Sequence, residues 1–392
     1  MLFCILYRWR RLTLRVKQTI NRKPADLAAT LSASKDCSAD LLLIFGSVEH
    51  FSSPGFHDSI QRVFPKAMLL GCSTAGEITT EGVDDGTCTL TALTFDKTSL
   101  SHGSTCLSGM DDSFAAGERL GKQIASLDLK AVLVFGPGLH INGSALVNGI
   151  TSIIGSNIPI TGGLAGDGGA FKETLTIGPD GVANNQVVAV GLSGEGLHFG
   201  HGSFGGWEPF GPARKVTRSD GNILHELDGE PALEIYRRYL GEHAKGLPAS
   251  GLLFPFAMLG EDHSAVGLIR TILGIDEATG SLILAGEIDP DGYLRLMHAS
   301  TDKLVNGAEL AAEAAAMTQG RNESLAILVS CVGRKLVMGD RVDDEVEAVS
   351  DVFGEACVLT GFYSYGEISP FAAGASCKLH NQTMTITCLS EG

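Results

Sequence analysis

No two of the nine cysteines in this 392-residue chain are spaced as C-x-x-C, and their number is odd. That excludes a paired disulfide framework and points to reduced, mostly buried thiols in a cytoplasmic protein. Basic residues are few: 29 Lys and Arg stand against 45 Asp and Glu, a formal net charge of −16. The balance argues against nucleic acid or an anionic membrane surface as the main partner. The apolar opening, MLFCILYRWRR, falls far short of the roughly 18 residues that cross a bilayer. Its basic residues follow the apolar ones, the reverse of a secretory signal. His198 and His201 are three apart on an extended segment and face opposite sides, and no other cluster has ligand spacing, so neither a metal nor a cofactor is expected.

What is present is core and turns. The chain is 44% hydrophobic and 19% charged with 50 glycines, which predicts a globular α/β protein of about two or three domains with many tight turns. Four stretches resemble one another: LLGCSTAGEI (69–78), ITGGLAGDGG (160–169), LILAGEIDPDG (282–292) and LTGFYSYGEI (359–368). Each is an apolar run followed by a glycine turn and a carboxylate, which suggests duplicated units. Around them the pattern alternates strand and helix: DLLLIFGS, a helix to residue 64, AMLLG and CTLTALTF; then AVLVFG, the helix GSALVNGITSII, IPITGG and QVVAVGLSG; then LAILVSC, the helix VDDEVEAVSDVFG, CVLTG and MTITCL. GLLFPFAML, GLIRTIL, SLILAG and YLRLMH read as further strands. The helix over 111–127 should bury Phe114, Leu120 and Ile124. The Gly- and Pro-rich 206–222 marks a boundary. The expectation is therefore layered mixed sheets with flanking helices, an N-terminal extension over 1–26, and domains over 27–215 and 216–392.

The motifs fit no familiar catalytic pattern. Cys72 or Ser73 on a strand-to-turn corner is the position of a hydrolase nucleophile, with His380 as a distant base. Gly71, Ser73 and Gly76, however, give G-x-S-x-x-G, and no helix follows to lower the thiol pKa. The glycines of GGLAGDGG, Gly163 among them, match neither dinucleotide nor phosphate fingerprints. Four acids, Glu77, Asp167, Glu287 and Glu367, follow strand ends of the repeated stretches. Loops of duplicated units can converge on one cleft, and these also carry Ser73, Thr74, Tyr363, Ser364 and Tyr365; Asn381, next to His380, is a further expected ligand contact. That mixture suits a small polar ligand. Arg334, directly after a buried strand, is the expected cation, either for a ligand carboxylate or for a structural ion pair.

Taken together, GCSTAGEI, GGLAGDGG, GWEPFGP…VTRSDGNILHELDGEPALEIYRRYLG, SCVGRKLVMGDRVDDEVEAV and GFYSYGEISP…CKLHNQTMTIT resemble the FIST family, from about Leu27 to the last residue. The resemblance implies an intracellular sensory protein with FIST N-terminal and C-terminal domains. Its implied partners are a small-molecule ligand, an amino acid among the candidates, and a signalling protein such as a chemotaxis receptor or histidine kinase. It supplies no catalytic residues, so a hydrolase using Cys72 or Ser73 and a non-catalytic scaffold stay as alternatives.

Overall fold

The computed structural model describes residues 14–33, 38–316, 324–371 and 374–392; the apolar opening MLFCILYRWRR lies outside them. Strand–helix–strand units run three times. The first copy holds β1 (Arg15–Asn21), α1 (Leu27–Ser32), β2 (Leu41–Gly46), α2 (Val48–Phe51), α3 (Phe56–Val63) and β3 (Met68–Ser73), then a hairpin of β4 (Glu77–Thr79) and β5 (Gly82–Asp84), then β6 (Cys88–Thr94). The second holds β7 (Ser99–Cys106), α4 (Ser113–Ile124), β8 (Leu129–Gly136), α5 (Gly143–Ile154), β9 (Ile160–Leu164), the hairpin β10 (Thr176–Gly178) and β11 (Gly181–Ala183), and β12 (Gln186–Ser193).

The third copy opens with β13 (Leu197–Phe204) and is then interrupted. The insertion comprises β14 (Glu208–Asp220), β15 (Ile223–Leu227), β16 (Glu230–Pro231), α6 (Ala232–Leu240), β17 (Phe256–Leu259), β18 (Ala265–Arg270), β19 (Ile272–Asp276), β20 (Ser281–Leu284) and β21 (Tyr293–His298). These strands form one antiparallel sheet of their own. The copy resumes with α7 (Thr301–Ala316), β22 (Ser324–Cys331), α8 (Val332–Met338), α9 (Asp343–Phe353), β23 (Cys357–Ser364), the hairpin β24 (Gly366–Pro370) and β25 (Cys377–His380), and β26 (Met384–Glu391).

Each copy builds a four-stranded mixed sheet: β1-β6-β2-β3, β7-β12-β8-β9 and β13-β26-β22-β23. The two central strands joined through the helices, β2–β3, β8–β9 and β22–β23, are parallel. The remaining places are filled by exchange. β10–β11 completes the first sheet, β24–β25 the second and β4–β5 the third. The inner faces share one core in which Phe45, Phe135 and Phe362 meet with ring centroids 4.8, 5.3 and 5.7 Å apart. Helices cover the outer faces, Leu120, Leu146 and Ile150 of α4 and α5 on the second sheet and Ala308, Ala311 and Val349 of α7 and α9 on the third. Strands buried on both faces explain apolar runs without alternation, such as LLLIF and AVLVF.

The expected fold class, layered mixed sheets with flanking helices built from duplicated units, is the one observed. Several local readings are corrected. The segment 1–26 includes β1, which pairs with β6 along its whole length. Residue 215 lies within β14, whose register shifts between Pro209 and Ala213 where Gly211 and Pro212 interrupt the pattern. GLLFPFAML is broken by Pro255, which has no N–H to give a ladder, and only Phe256–Leu259 is strand. Phe114 is 44% exposed. LILAGEIDPDG belongs to the insertion, so it is no counterpart of the other three stretches.

The three true counterparts share a close approach. Gly71, Gly162 and Gly361 sit in the parallel strand opposite Ile44, Val134 and Leu328. A Cβ at each would lie 1.8 to 1.9 Å from the opposing carbonyl oxygen. Gly71→Ala is therefore expected to force β2 and β3 apart and cost about 1–3 kcal/mol or more. Urea denaturation measures it; a loss within error would show that no such contact exists.

Candidate functional site

Past these glycines the chains leave the sheets and meet. Ala75 N donates to Tyr363 O at 2.8 Å, Gly166 N to Ser73 O at 2.8 Å, and Tyr365 N to Leu164 O at 3.1 Å. Donors lie four residues, and acceptors two residues, beyond Gly71, Gly162 and Gly361, so the three bonds form a closed ring around a pseudo-threefold axis. GCSTAGEI and GFYSYGEI are matching corners, strand to turn to strand, as the shared pattern predicts. Loops of different copies do converge.

Two buried carboxylates brace the corners. Glu77 accepts from Thr74 Oγ1 and from Thr87 N and Oγ1 at 2.8 and 2.9 Å. Glu367 accepts from Ser364 Oγ at 2.6 Å and from Thr383 N and Oγ1 at 3.1 and 3.0 Å. Register shows the relation: Glu77 pairs with Phe362, Glu367 with Gly163, and Thr176 with Cys72. Thr176 thus takes the glutamate's place in the second copy. Burial pushes both carboxyls up to about 7, against the pull of the hydroxyl and amide donors.

Asp167 is a loop clasp. Its carboxylate accepts from Tyr365 Oη and from the amides of Phe171, Lys172 and Glu173 at 2.8, 2.6 and 3.0 Å. Burial opposes its ionisation, but these donors outweigh it and hold the carboxyl below its ordinary range. Phe171 stacks on Tyr365 at 4.3 Å.

Cys72 is fully buried in the central core, and burial holds its thiol pKa well above the ordinary value. Ser73 Oγ donates to Gly166 O at 2.7 Å and accepts from Leu175 N at 2.8 Å. Among the described residues neither is hydrogen-bonded to a base. Gly163 is enclosed, with Val329 Cγ1 2.7 Å from where its Cβ would be. His380 donates through Nε2 to Ser369 O at 2.9 Å, and burial lowers its pKa to about 4. Asn381 is buried at the end of the β24–β25 hairpin.

Arg334 is not in a cleft. It is fully buried, with Nη2 2.6 Å from Glu345 Oε2. It also donates to Ser330 Oγ, to Leu304 O and to Gly205 O. Glu345 receives Tyr363 Oη as well. The structural ion pair is thus the one formed, with Glu345 rather than a strand-end acid.

Of the expected residues, Thr74, Glu77 and Asp167 line a cleft of about 620 Å³ where the first and third copies meet the Asp167 loop of the second. Its other walls are Glu49, Asp85, Val48, Val332, Lys335 and Leu336. Lys335 is its one cation among the described residues. The amine donates to Ala75 O at 3.0 Å, pairs with Asp85, and stands 5.3 Å from the centre of the Tyr363 ring. Sequence reading reached Arg334 and missed its neighbour. One residue along a helix turns the side chain by about 100°, and α8 is too short for its period to show. A second cleft of about 560 Å³, beside Leu107 and His140, contains none of the expected residues. Among the described residues no cluster of three or more His, Cys, Asp or Glu is placed to hold a metal ion, and no helix is long and apolar enough to cross a membrane.

With the geometry in place, the comparisons decide the family. Residues 40–230 match the FIST N domain and 232–370 the FIST C domain. The chain belongs to the FIST family. FIST domains are sensory domains of signal transduction and generally non-enzymatic. An uncharacterized protein of Mycobacterium bovis is 26% identical over 251 residues, 62% of this chain and 60% of that protein. One of Methanocaldococcus jannaschii is 27% identical over 206 residues, 48% of this chain and 38% of that protein. The FIST chain thus spans about three-fifths of the length of the first curated relatives it matches. A cyanuric acid hydrolase from A. caulinodans aligns over 96% of this chain and 99% of its own at 10% identity, with a TM-score of 0.39, too loose to argue from.

Two predictions follow from the buried charges. Glu77 and Glu367 bind protons more tightly folded, near 7, than at their ordinary 4.5. Between those values the folded state holds protons that the unfolded state has released. Their contribution to stability is therefore full below about pH 4.5 and declines as pH rises to 7. Glu77→Gln and Glu367→Gln should each flatten that decline by on the order of 1–3 kcal/mol, read from urea denaturation at pH 5 and pH 8; parallel wild-type and variant profiles would refute it. Arg334→Lys keeps the charge but not the fork and should cost about 1–3 kcal/mol. Glu345→Gln, which strands the guanidinium, should cost about 3–5 kcal/mol, both measured without any ligand. Native-like stability in both variants would remove Arg334 from the structural role.

Proposed function

We propose that this FIST protein is a cytoplasmic sensor that binds a small zwitterionic ligand, an amino acid or a molecule like one, in the Lys335 cleft and passes the event to a signalling protein such as a chemotaxis receptor or histidine kinase. The observation that carries the reading is the pairing inside the cleft: a single amine faced by the carboxylates of Asp85 and Glu49. A doubly charged phosphate would meet more negative than positive charge there. A zwitterion, with no net charge of its own, is not repelled by that excess. Its carboxylate can replace Asp85 at the Lys335 amine, and Asp85, 70% exposed, is then available to the ammonium group. Charge is conserved in the exchange. Val48, Val332 and Leu336 offer an apolar wall for a side chain. The hydrolase alternative loses support because Cys72 is sealed in the core and Ser73 is spent on main-chain bonds.

The test is a thermal-shift screen against the protein amino acids and related metabolites. A ligand at about a hundred times its Kd should add roughly 2.7 kcal/mol of stability. Lys335→Met is expected to keep the native circular dichroism and to lose the shift. A flat screen would favour the scaffold reading, in which a partner docks without a ligand.

A further inference from the structure

Arg270, at the end of β18, is a buried cation that the FIST cleft does not use. Its relative exposure is 4%. Nε donates to Glu287 O at 3.0 Å and Nη1 to Ile269 O at 3.2 Å. A guanidinium carries five N–H donors, and the other three meet no acceptor among the described residues. Nor is Arg270 in any ion pair among them; Glu287 attracts it only from a longer distance. Buried charges are ordinarily paired, because desolvating one alone is costly. Arg334 shows the ordinary solution in this same chain. Arg270 departs from it.

The guanidinium is also held in place. The stretch Leu282–Gly292, left over once the three repeats are matched, wraps around it. Gly286 has φ +132°, and a Cβ there would lie 3.0 to 3.4 Å from Arg270 Nε, Cζ and Cδ. Arg270 lines a cavity of about 250 Å³ where the insertion meets α5 and the β24–β25 hairpin. Ser144 and Asn148 bring a hydroxyl and an amide to it, Leu268 and Leu379 bring apolar surface, and exposed Glu287, Asp289 and Lys378 stand at its rim. No residue of this cavity lines the Lys335 cleft.

We infer that this cavity is a second ligand site, in which Arg270 binds the carboxylate of a small monocarboxylate. The planar fork suits a carboxylate in two-point contact. The size of the cavity admits a molecule of a few carbon atoms, and with two acids against one further cation, Lys378, the rim adds no net positive charge that would favour a multiply charged phosphate. The site goes beyond the zwitterion cleft and stands or falls separately from it.

The probe is acetate, compared with chloride and with inorganic phosphate at matched ionic strength, read by thermal shift and by titration calorimetry on the full chain. Acetate is expected to give a saturable shift that chloride does not give. Arg270→Met should weaken acetate at least tenfold. Ser144→Leu, which fills the cavity and leaves Arg270 in place, should do the same and decides the matter if Arg270→Met fails to fold. The inference is overturned if acetate acts no differently from chloride, if phosphate binds more tightly than acetate, or if the shift is undiminished in Ser144→Leu.

Discussion

Three main-chain hydrogen bonds, Ala75 to Tyr363, Gly166 to Ser73 and Tyr365 to Leu164, hold this molecule to its plan. Each joins a different pair of copies, and together they close a ring. Because they use only backbone groups, the side chains around them are free to differ. Ala, Gly and Tyr occupy the donor positions, and Ser, Leu and Tyr the acceptor positions. The hairpins that follow cannot return to their own sheets, since the ring carries each corner to a neighbour. Hence the exchange of β4–β5, β10–β11 and β24–β25. No copy has a complete sheet alone, and the Phe45, Phe135 and Phe362 core forms only when all three are present.

Within that frame the copies have diverged at equivalent points. Glu77 and Glu367 brace two corners with the same set of hydroxyl and amide donors. In the second copy Thr176 replaces the acid and turns its hydroxyl to Gln186 O at 2.7 Å. Asp85 and Asn381 occupy equivalent places at the ends of two hairpins. Asp85 faces a cleft and a lysine. Asn381 is buried beside Gln382, whose side chain reaches Leu252 O of the insertion at 2.9 Å. The insertion thus covers one corner, while the corresponding corner of the first copy stays open to small molecules.

Much of this was legible in the sequence. The double-faced burial of LLLIF, AVLVF and LAILV marked the central strands, and the recurring glycine turns marked the corners that meet. The matching Gly-Glu-Ile ends revealed two of the three repeats. The third, read from ITGGLAGDGG, lacks that ending because Asp167 begins a longer loop before Thr176, so its acid sits beyond the turn rather than on the next strand. LILAGEIDPDG imitated the pattern with a strand of the insertion. Hairpin exchange left no local signal, since β4 pairs with a strand almost three hundred residues away. The strand over 208–220 was obscured by Pro209, Gly211 and Pro212, tolerated there because the register shifts across them.

The candidate site shows most clearly where a one-dimensional reading stops. Arg334 and Lys335 are adjacent, both basic and both just past a buried strand. On α8 they point about 100° apart, and that angle gives them separate roles. Arg334 turns inward and binds Glu345, Ser330, Leu304 O and Gly205 O, which ties the short helix to β22, α7, α9 and the start of the insertion. A helix of seven residues has little stability of its own, so its position depends on that anchor. Lys335 rides on the other side, its amine over Tyr363 and against Ala75 O. The ring of Tyr363 is itself fixed from beneath by its hydroxyl on Glu345. One buried glutamate therefore positions both the helix that carries the cation and the aromatic face below it.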